Sequence, residues 1–225
     1  MKKLVLVLAM ALAGCMQTVP EQRPQVTARE QAELDARAKS AATRFQSVIN
    51  RIEPVAEAEC KRRTTGVNCD YQIVVDDQSP YENAFQTENS QGRPILAFTI
   101  PLLMNVRNND ELALIMGHEA AHHIHGHLEQ KQGNALAGAI LFGLIGAAAG
   151  VDATGLGADI GGRAYSKEFE LQADKLGTVI TKRAGYDPVR GAEYFVRVPD
   201  PGNRFLGTHP PNAQRIEVIK TAARG

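Results

Sequence analysis

"GHEAAHHIHGHLEQ", residues Gly117–Gln130, places five of the chain's six histidines within ten positions. His118-Glu119-Ala120-Ala121-His122 within it is an HExxH pattern. On a helix, four residues advance about 400° and rise about 6 Å, so both imidazoles project from one face, one turn apart. That spacing suits a single Zn²⁺ bound at about 2.0–2.1 Å from each nitrogen. Glu119 sits about 100° round the helix, where it can address a water on the metal without binding the metal itself.

A histidine-rich stretch can match this pattern by chance, so the other histidines and a partner elsewhere in the chain have to be accounted for. On one continuous helix His127 falls about 180° from His118, and His125 lies about 10 Å away, so neither shares the metal with it. His123, His125 and His127 are therefore expected in structural or solvated roles. A metzincin arrangement needs Gly at 125 and His at 128; His125 and Leu128 stand there instead. The third ligand must come from elsewhere. "YSKEFELQADKLG" (165–177) supplies Glu170 and Asp174, one helical turn apart. Glu170 can bind zinc while Asp174 holds a ligand imidazole by its other N–H.

The surrounding pattern is that of a mostly helical α+β domain. "TARE" (27–30) is a capping box. It opens an amphipathic helix with Leu34, Ala38, Ala41, Phe45, Val48 and Ile52 on one stripe, which Pro54 should stop or kink. "YQIVVDD", "NAFQT" (83–87) and "PILAFTI" (94–100) read as three short strands of a small mixed sheet beside the HExxH helix. The strand "ILAFTI" is expected along the cleft as an edge to which an extended peptide adds by backbone hydrogen bonds. A helix caps at Asn109 or Asp110 and leads into HExxH, another runs through 163–185 with Gly185 as its stop, and Pro188 opens a short one. A last helix follows "THPPNAQRI". Residues 135–151, "ALAGAILFGLIGAAAGV", are apolar and glycine-rich. A buried helix or glycine-rich loop covering the domain is expected there, with a membrane-dipping hairpin as the alternative.

The N-terminus is an address. "MKKLVLVLAMALAGC" has Lys2 and Lys3, then an apolar run, then small residues before Cys15, the layout of an export signal too short to span a membrane. Leu12-Ala13-Gly14-Cys15 looks like a bacterial lipobox, which implies cleavage before Cys15 and lipidation of its thiol; Met16 in the next position favours the outer membrane. The expected organisation is a signal peptide over 1–14, a lipidated N-terminus and tether over 15–26, and a single domain over 27–225. Cleavage removes two lysines and no acid, leaving 23 basic against 25 acidic residues, so the lipid rather than charge must hold the chain to a bilayer. In an oxidising compartment Cys60 and Cys69 can pair across a short loop; two buried thiols are the alternative. Zero formal charge, no Trp and few aromatics argue against a nucleic-acid partner.

Several ordered pieces, "NAF" (83–85), "DELALIMGHEAAH" (110–122), "YSKEFELQAD" (165–174), "AGYDP" (184–188) and "GTHPPNAQRI" (207–216), resemble the gluzincin zinc metallopeptidase family of the CAAX prenyl protease, HtpX and BepA type, most closely its small periplasmic lipoprotein members. The resemblance covers about residues 70–222. It implies a zincin-like metallopeptidase domain holding one Zn²⁺, with His118, His122 and Glu170 as ligands and Glu119 as general base. It implies a His close to the metal at His209, which either donates to the developing oxyanion or plugs the resting metal; a plain helix-capping role is the third reading. Arg215 is expected to orient this segment. His127 matches a His often found after HExxH, whereas Lys167 and "HIHGH" depart from the usual pattern. The expected substrates are unfolded or misassembled envelope proteins, met on the periplasmic face of the outer membrane near the envelope assembly machinery. Two other readings of the same residues remain: a chaperone-like lipoprotein whose zinc is structural, and a zinc hydrolase acting on cell wall.

Overall fold

A computed structural model describes residues 27–156, 166–202 and 209–225. The export signal, Cys15 and the tether lie outside the described residues. In chain order the elements are α1 (Ala28–Arg63), β1 (Gln72–Asp76), β2 (Ala84–Glu88), β3 (Pro94–Thr99), α2 (Ile100–Asn105), α3 (Asn109–Ile124), α4 (His127–Ala148), α5 (Ser166–Arg183), α6 (Pro188–Gly191), α7 (Tyr194–Arg197) and α8 (Asn212–Arg224). The architecture is the mostly helical α+β one, with a small mixed sheet.

Helix α3 is the centre of the packing, and nearly all of it is buried. Asn108, one residue before the expected cap, accepts from the Glu111 amide and starts it, with Asp110 and Glu111 complementing the helix dipole. On one side α1 presents Phe45, Val48, Ile52, Ala56 and Cys60 to the core. Thr27 and Glu30 cap α1 reciprocally. Pro54 does not stop α1, which continues through it to Arg63. The lost backbone hydrogen bond is outweighed because buried residues on both sides of Pro54 hold the two halves on one core. Cys60 and Cys69 are joined by a disulfide that ties the end of α1 to the approach to β1.

The sheet has the order β1-β3-β2, with β1 parallel and β2 antiparallel to β3. This corrects the expectation for "ILAFTI": β3 is the central strand, β1 and β2 are the edges, and β2 is the edge on the cleft side. The near-continuous burial along β3 is what a strand covered on both faces requires. β1 does not keep a clean alternation, since Val75 is exposed.

Helix α5 crosses α3 at two glycines. A Cβ on Gly117 would lie 2.8 Å from the Gly177 carbonyl oxygen, and one on Gly177 would lie 2.8 Å from the His118 amide nitrogen. Backbone meets backbone there, and the two helices are brought closer than any side chain would permit. Glu59 of α1, buried, pairs with Arg183 at the far end of α5 and with Arg63. The chain leaves α5 through Gly185, whose φ of 80° is left-handed.

The expected buried helix or loop over 135–151 is not what forms. Most of that stretch lies in α4, whose Leu136, Ile140, Leu141, Leu144 and Ile145 are exposed. Among the described residues no helix is long and apolar enough to cross a membrane.

Candidate metal centre

A cleft of about 490 Å³ opens between β2, α3, α5 and the segment around His209. Its wall includes His118, Glu119 and His122 from α3, Glu170 and Asp174 from α5, and His209 and Arg215 from the C-terminal segment. The Gly117–Gly177 crossing explains how two helices so far apart in sequence bring side chains to one point.

Three donor atoms converge there. His118 Nε2 and His122 Nε2 are 2.9 Å apart, and each is 3.4 Å from an oxygen of Glu170. The 3.4 Å distances run to Oε2 from His118 and to Oε1 from His122, and one donor atom from each of the three residues lies within 4.8 Å of the others. Donors about 2.0–2.1 Å from one tetrahedral ion sit about 3.3 Å apart, so the set can close on zinc. Glu170 Oε2 is buried without a hydrogen bond, although His209 Nδ1 lies 3.1 Å from it. An anionic oxygen in that position is stabilised by a cation on its open side. Burial works to protonate Glu170, but His118, His122 and His209 outweigh it and hold the carboxyl well below its usual range, so it is charged. Two imidazoles and a carboxylate are the donor types zinc takes in open, three-ligand sites.

The outer atoms of the two imidazoles are also held. Asp174 Oδ1 is 2.9 Å from His118 Nδ1. Arg215 grips the same carboxylate with Nε and Nη2, at 2.8 and 2.6 Å. Burial favours neutral Asp174, yet the Arg215 guanidinium prevails and lowers its pKa. Arg215 is itself buried, with its guanidinium over the Phe195 ring. It reaches the site from α8, so the C-terminal helix is fastened to the imidazole support. Burial opposes charging of His118, but Asp174 and Glu170 push it up to about 10. A metal entering the site therefore displaces a proton from that ring.

His122 has a different support. Its Nδ1 lies 2.9 Å from His127 Nδ1, and His127 Nε2 lies 3.2 Å from Gln172 Oε1. Burial, with the nearby His122, lowers His127 to about 4, so the ring is neutral and its Nδ1 accepts. His127 stacks on Phe169 at 4.4 Å between ring centres. The continuous-helix geometry had set His127 apart from the metal; α3 in fact ends at Ile124, and Gly126, with φ of 63°, turns the chain so that His127 faces back towards His122. Gly126 was the sequence signal for that turn. Neither His127 nor Gln172 emerged from the spacing as part of the site. His123 points elsewhere: its Nε2 donates to the Asn68 carbonyl at 2.8 Å, and Tyr71 meets its ring edge-on. His125 stacks against His127.

The fold and this donor set define a zincin-like metallopeptidase domain. Residues 41–223 match peptidase family M48, and the chain belongs to that family. The match starts at Ala41, the first buried position of α1. Over 187 residues the chain is 26% identical to the human protein "Metalloendopeptidase OMA1, mitochondrial", covering 72% of this chain and 34% of that one. Over 142 residues it is 31% identical to the Vibrio cholerae serotype O1 protein named "Putative beta-barrel assembly-enhancing protease", covering 55% of this chain and 29% of that one. The chain thus spans about a third of the length of these relatives.

Proposed function

We propose that the protein is a zinc-dependent metalloendopeptidase that cuts misfolded or misassembled envelope proteins, held by a lipid on Cys15 at the periplasmic face of the outer membrane. The observation that carries the activity is the convergence of His118, His122 and Glu170 at zinc-like separations beside Glu119. A zinc ion held by these residues would supply Lewis acidity and a water acidified towards pKa ~7. Glu119, buried on the cleft wall, takes the proton of the attacking water and passes it to the leaving amine. His209, half-exposed at the mouth, donates to the oxygen on which charge develops. Asp174 and Arg215 fix the His118 ring, and His127 fixes the His122 ring.

The substrate class follows from the edge strand. Ala84, Phe85 and Gln86 of β2 line the cleft, and among the described residues no strand pairs with the other side of β2. An extended segment added there is recognised through its backbone, which suits unfolded chain and asks little of its sequence. The address comes from the lipobox, and the link to envelope assembly from the name of the Vibrio relative.

Glu119→Gln separates this reading from a structural zinc site, which has no use for a base. The variant is expected to bind one zinc per chain and to lose casein cleavage by about 10²–10⁴-fold. Retained cleavage would overturn the assignment, and cleavage of peptidoglycan in place of casein by the wild type would overturn the substrate class.

A further inference from the structure

At the end of α4 two glycines, Gly143 and Gly146, pack against the returning chain, while the large aliphatic side chains face out. After Ala148 the chain turns through Gly150, whose φ is 71°, and comes back beside the helix. A Cβ on Gly143 would lie 2.8 Å from the Thr154 methyl carbon, and one on Gly146 would lie 3.1 Å from Ala153 Cβ. The two limbs of this hairpin therefore meet through two glycines on the helix and Ala153 and Thr154 on the return turn. Leu136, Ile140, Leu141, Leu144, Ile145 and Val151 face outward instead, with Leu144 68% exposed. In water the opposite arrangement is favoured, since each exposed aliphatic side chain forgoes its burial free energy. Small residues at the helix contact and large apolar ones outside is the pattern of helices surrounded by lipid.

The charge pattern points the same way. Between Lys131 and Asp152 there are twenty residues and not one Asp, Glu, Lys, Arg or His. A protein-binding surface has a polar rim that fixes partner and register, and this stripe has none along its length. Asp152 sits at the turn, where it accepts from the Thr154 amide and hydroxyl, and its charge keeps the tip in water or among headgroups. No described helix is long and apolar enough to cross a membrane.

We propose that α4 and its return turn dock in the plane of a lipid bilayer, with the outward aliphatic stripe sunk about 5–10 Å into the boundary between headgroups and acyl chains. The docking presupposes that the chain reaches a membrane, as the reading of Cys15 as a lipid anchor holds. It adds a second, non-covalent contact to that anchor, one that fixes the orientation of the domain on the membrane, which an anchor on a tether does not. Because His127, Leu128 and Lys131 of the first turns of α4 line the cleft, the docking also sets the cleft mouth close to the bilayer surface, where unassembled membrane proteins present extended chain.

The chain contains no Trp, so a single introduced one is an unambiguous reporter. Full-length Leu144→Trp is mixed with vesicles of phosphatidylethanolamine and phosphatidylglycerol whose acyl chains carry bromine. Full-length Gln46→Trp, on the exposed face of α1, is the reference. Docking predicts a blue shift and about twofold loss of emission for Leu144→Trp on vesicles, and neither change for Gln46→Trp. Unchanged Leu144→Trp emission on vesicles that carry the protein down in sedimentation overturns the proposal. So does a blue shift without vesicles accompanied by a dimer mass, which assigns the stripe to a second copy. The mass of the N-terminal peptide tests the lipid on Cys15 separately. If Cys15 is unmodified the anchor reading fails, while quenching of Leu144→Trp still decides the docking.

Discussion

The Nδ1 atoms of His122 and His127 are 2.9 Å apart, and the second ring is the neutral acceptor of the pair. His118 and His122 are therefore oriented by unlike partners. His118 leans on a charged pair, Asp174 with Arg215, and His122 on an uncharged relay through His127 to Gln172. A carboxylate raises the basicity of an imidazole more than a neutral ring does, so the two ligands are electronically unequal.

His127→Phe keeps the aromatic stack on Phe169 and removes the acceptor. Zinc affinity is expected to fall about 10–100-fold, the range for loss of such a partner. Equilibrium competition against a chromophoric chelator measures it. An affinity equal to that of the wild type would show that His122 needs no such support.

Arg215→Met tests the charged support through pH. The Asp174 pKa is lowered in the folded protein, so its contribution is present above the ordinary value of 3.8 and is lost as pH falls through the lowered one. Near neutrality the variant leaves a buried carboxylate without its guanidinium, which costs about 3–5 kcal/mol. As pH falls below 3.8 and on through the lowered value the gap between wild type and variant should close, since only below that lowered value is Asp174 protonated in both. Denaturant unfolding at a series of pH values reads this, and a gap independent of pH would mean that Arg215 acts by packing on Phe195 instead.

For His209 the expected outcome of an alanine substitution is kinetic. If it donates to the developing oxyanion, His209→Ala loses about 10²–10³ in kcat with KM and zinc content little changed. Turnover that rises would identify the ring as a plug on the resting site, and unchanged turnover would remove both roles.

The HExxH pair could be read from sequence because metal geometry maps directly onto the helical period, and both residues lie on one uninterrupted helix. Glu170 was legible from its one-turn spacing to Asp174, which lets one carboxylate reach the metal and the other an imidazole, and the family resemblance then assigned it as the third ligand. Strand order was misjudged because alternation reports which face is buried and not which strand is central; the unbroken apolar run of residues 94–98 already favoured a strand covered on both faces. Pro54 failed as a stop because tertiary packing overrode local propensity. The exposed stripe of α4 was hidden for a simpler reason: an apolar composition does not say whether protein or lipid covers it.

The crossing of α3 and α5 offers a test of how the backbone sets the metal centre. A methyl group on Gly177 would stand 2.8 Å from the His118 amide nitrogen and 2.9 Å from its Cα. Both obstacles are backbone, so neither can rotate away and the helices must separate. Asp174 and Glu170 lie one and two turns before Gly177 on α5, so separation carries both away from the imidazoles they serve. Gly177→Ala is therefore expected to cost about 1–3 kcal/mol of stability and to weaken zinc binding as well, although it alters no donor atom. Gly133→Ala on α4, where an added Cβ meets nothing within 4 Å, is the control; there the helix should gain up to about 1 kcal/mol with no change in zinc affinity. Thermal unfolding of the metal-free proteins and chelator competition give the two quantities independently. Wild-type zinc affinity in Gly177→Ala would mean that α5 can give way without moving Glu170, and the close glycine crossing would then be a packing feature with no hold on the metal site.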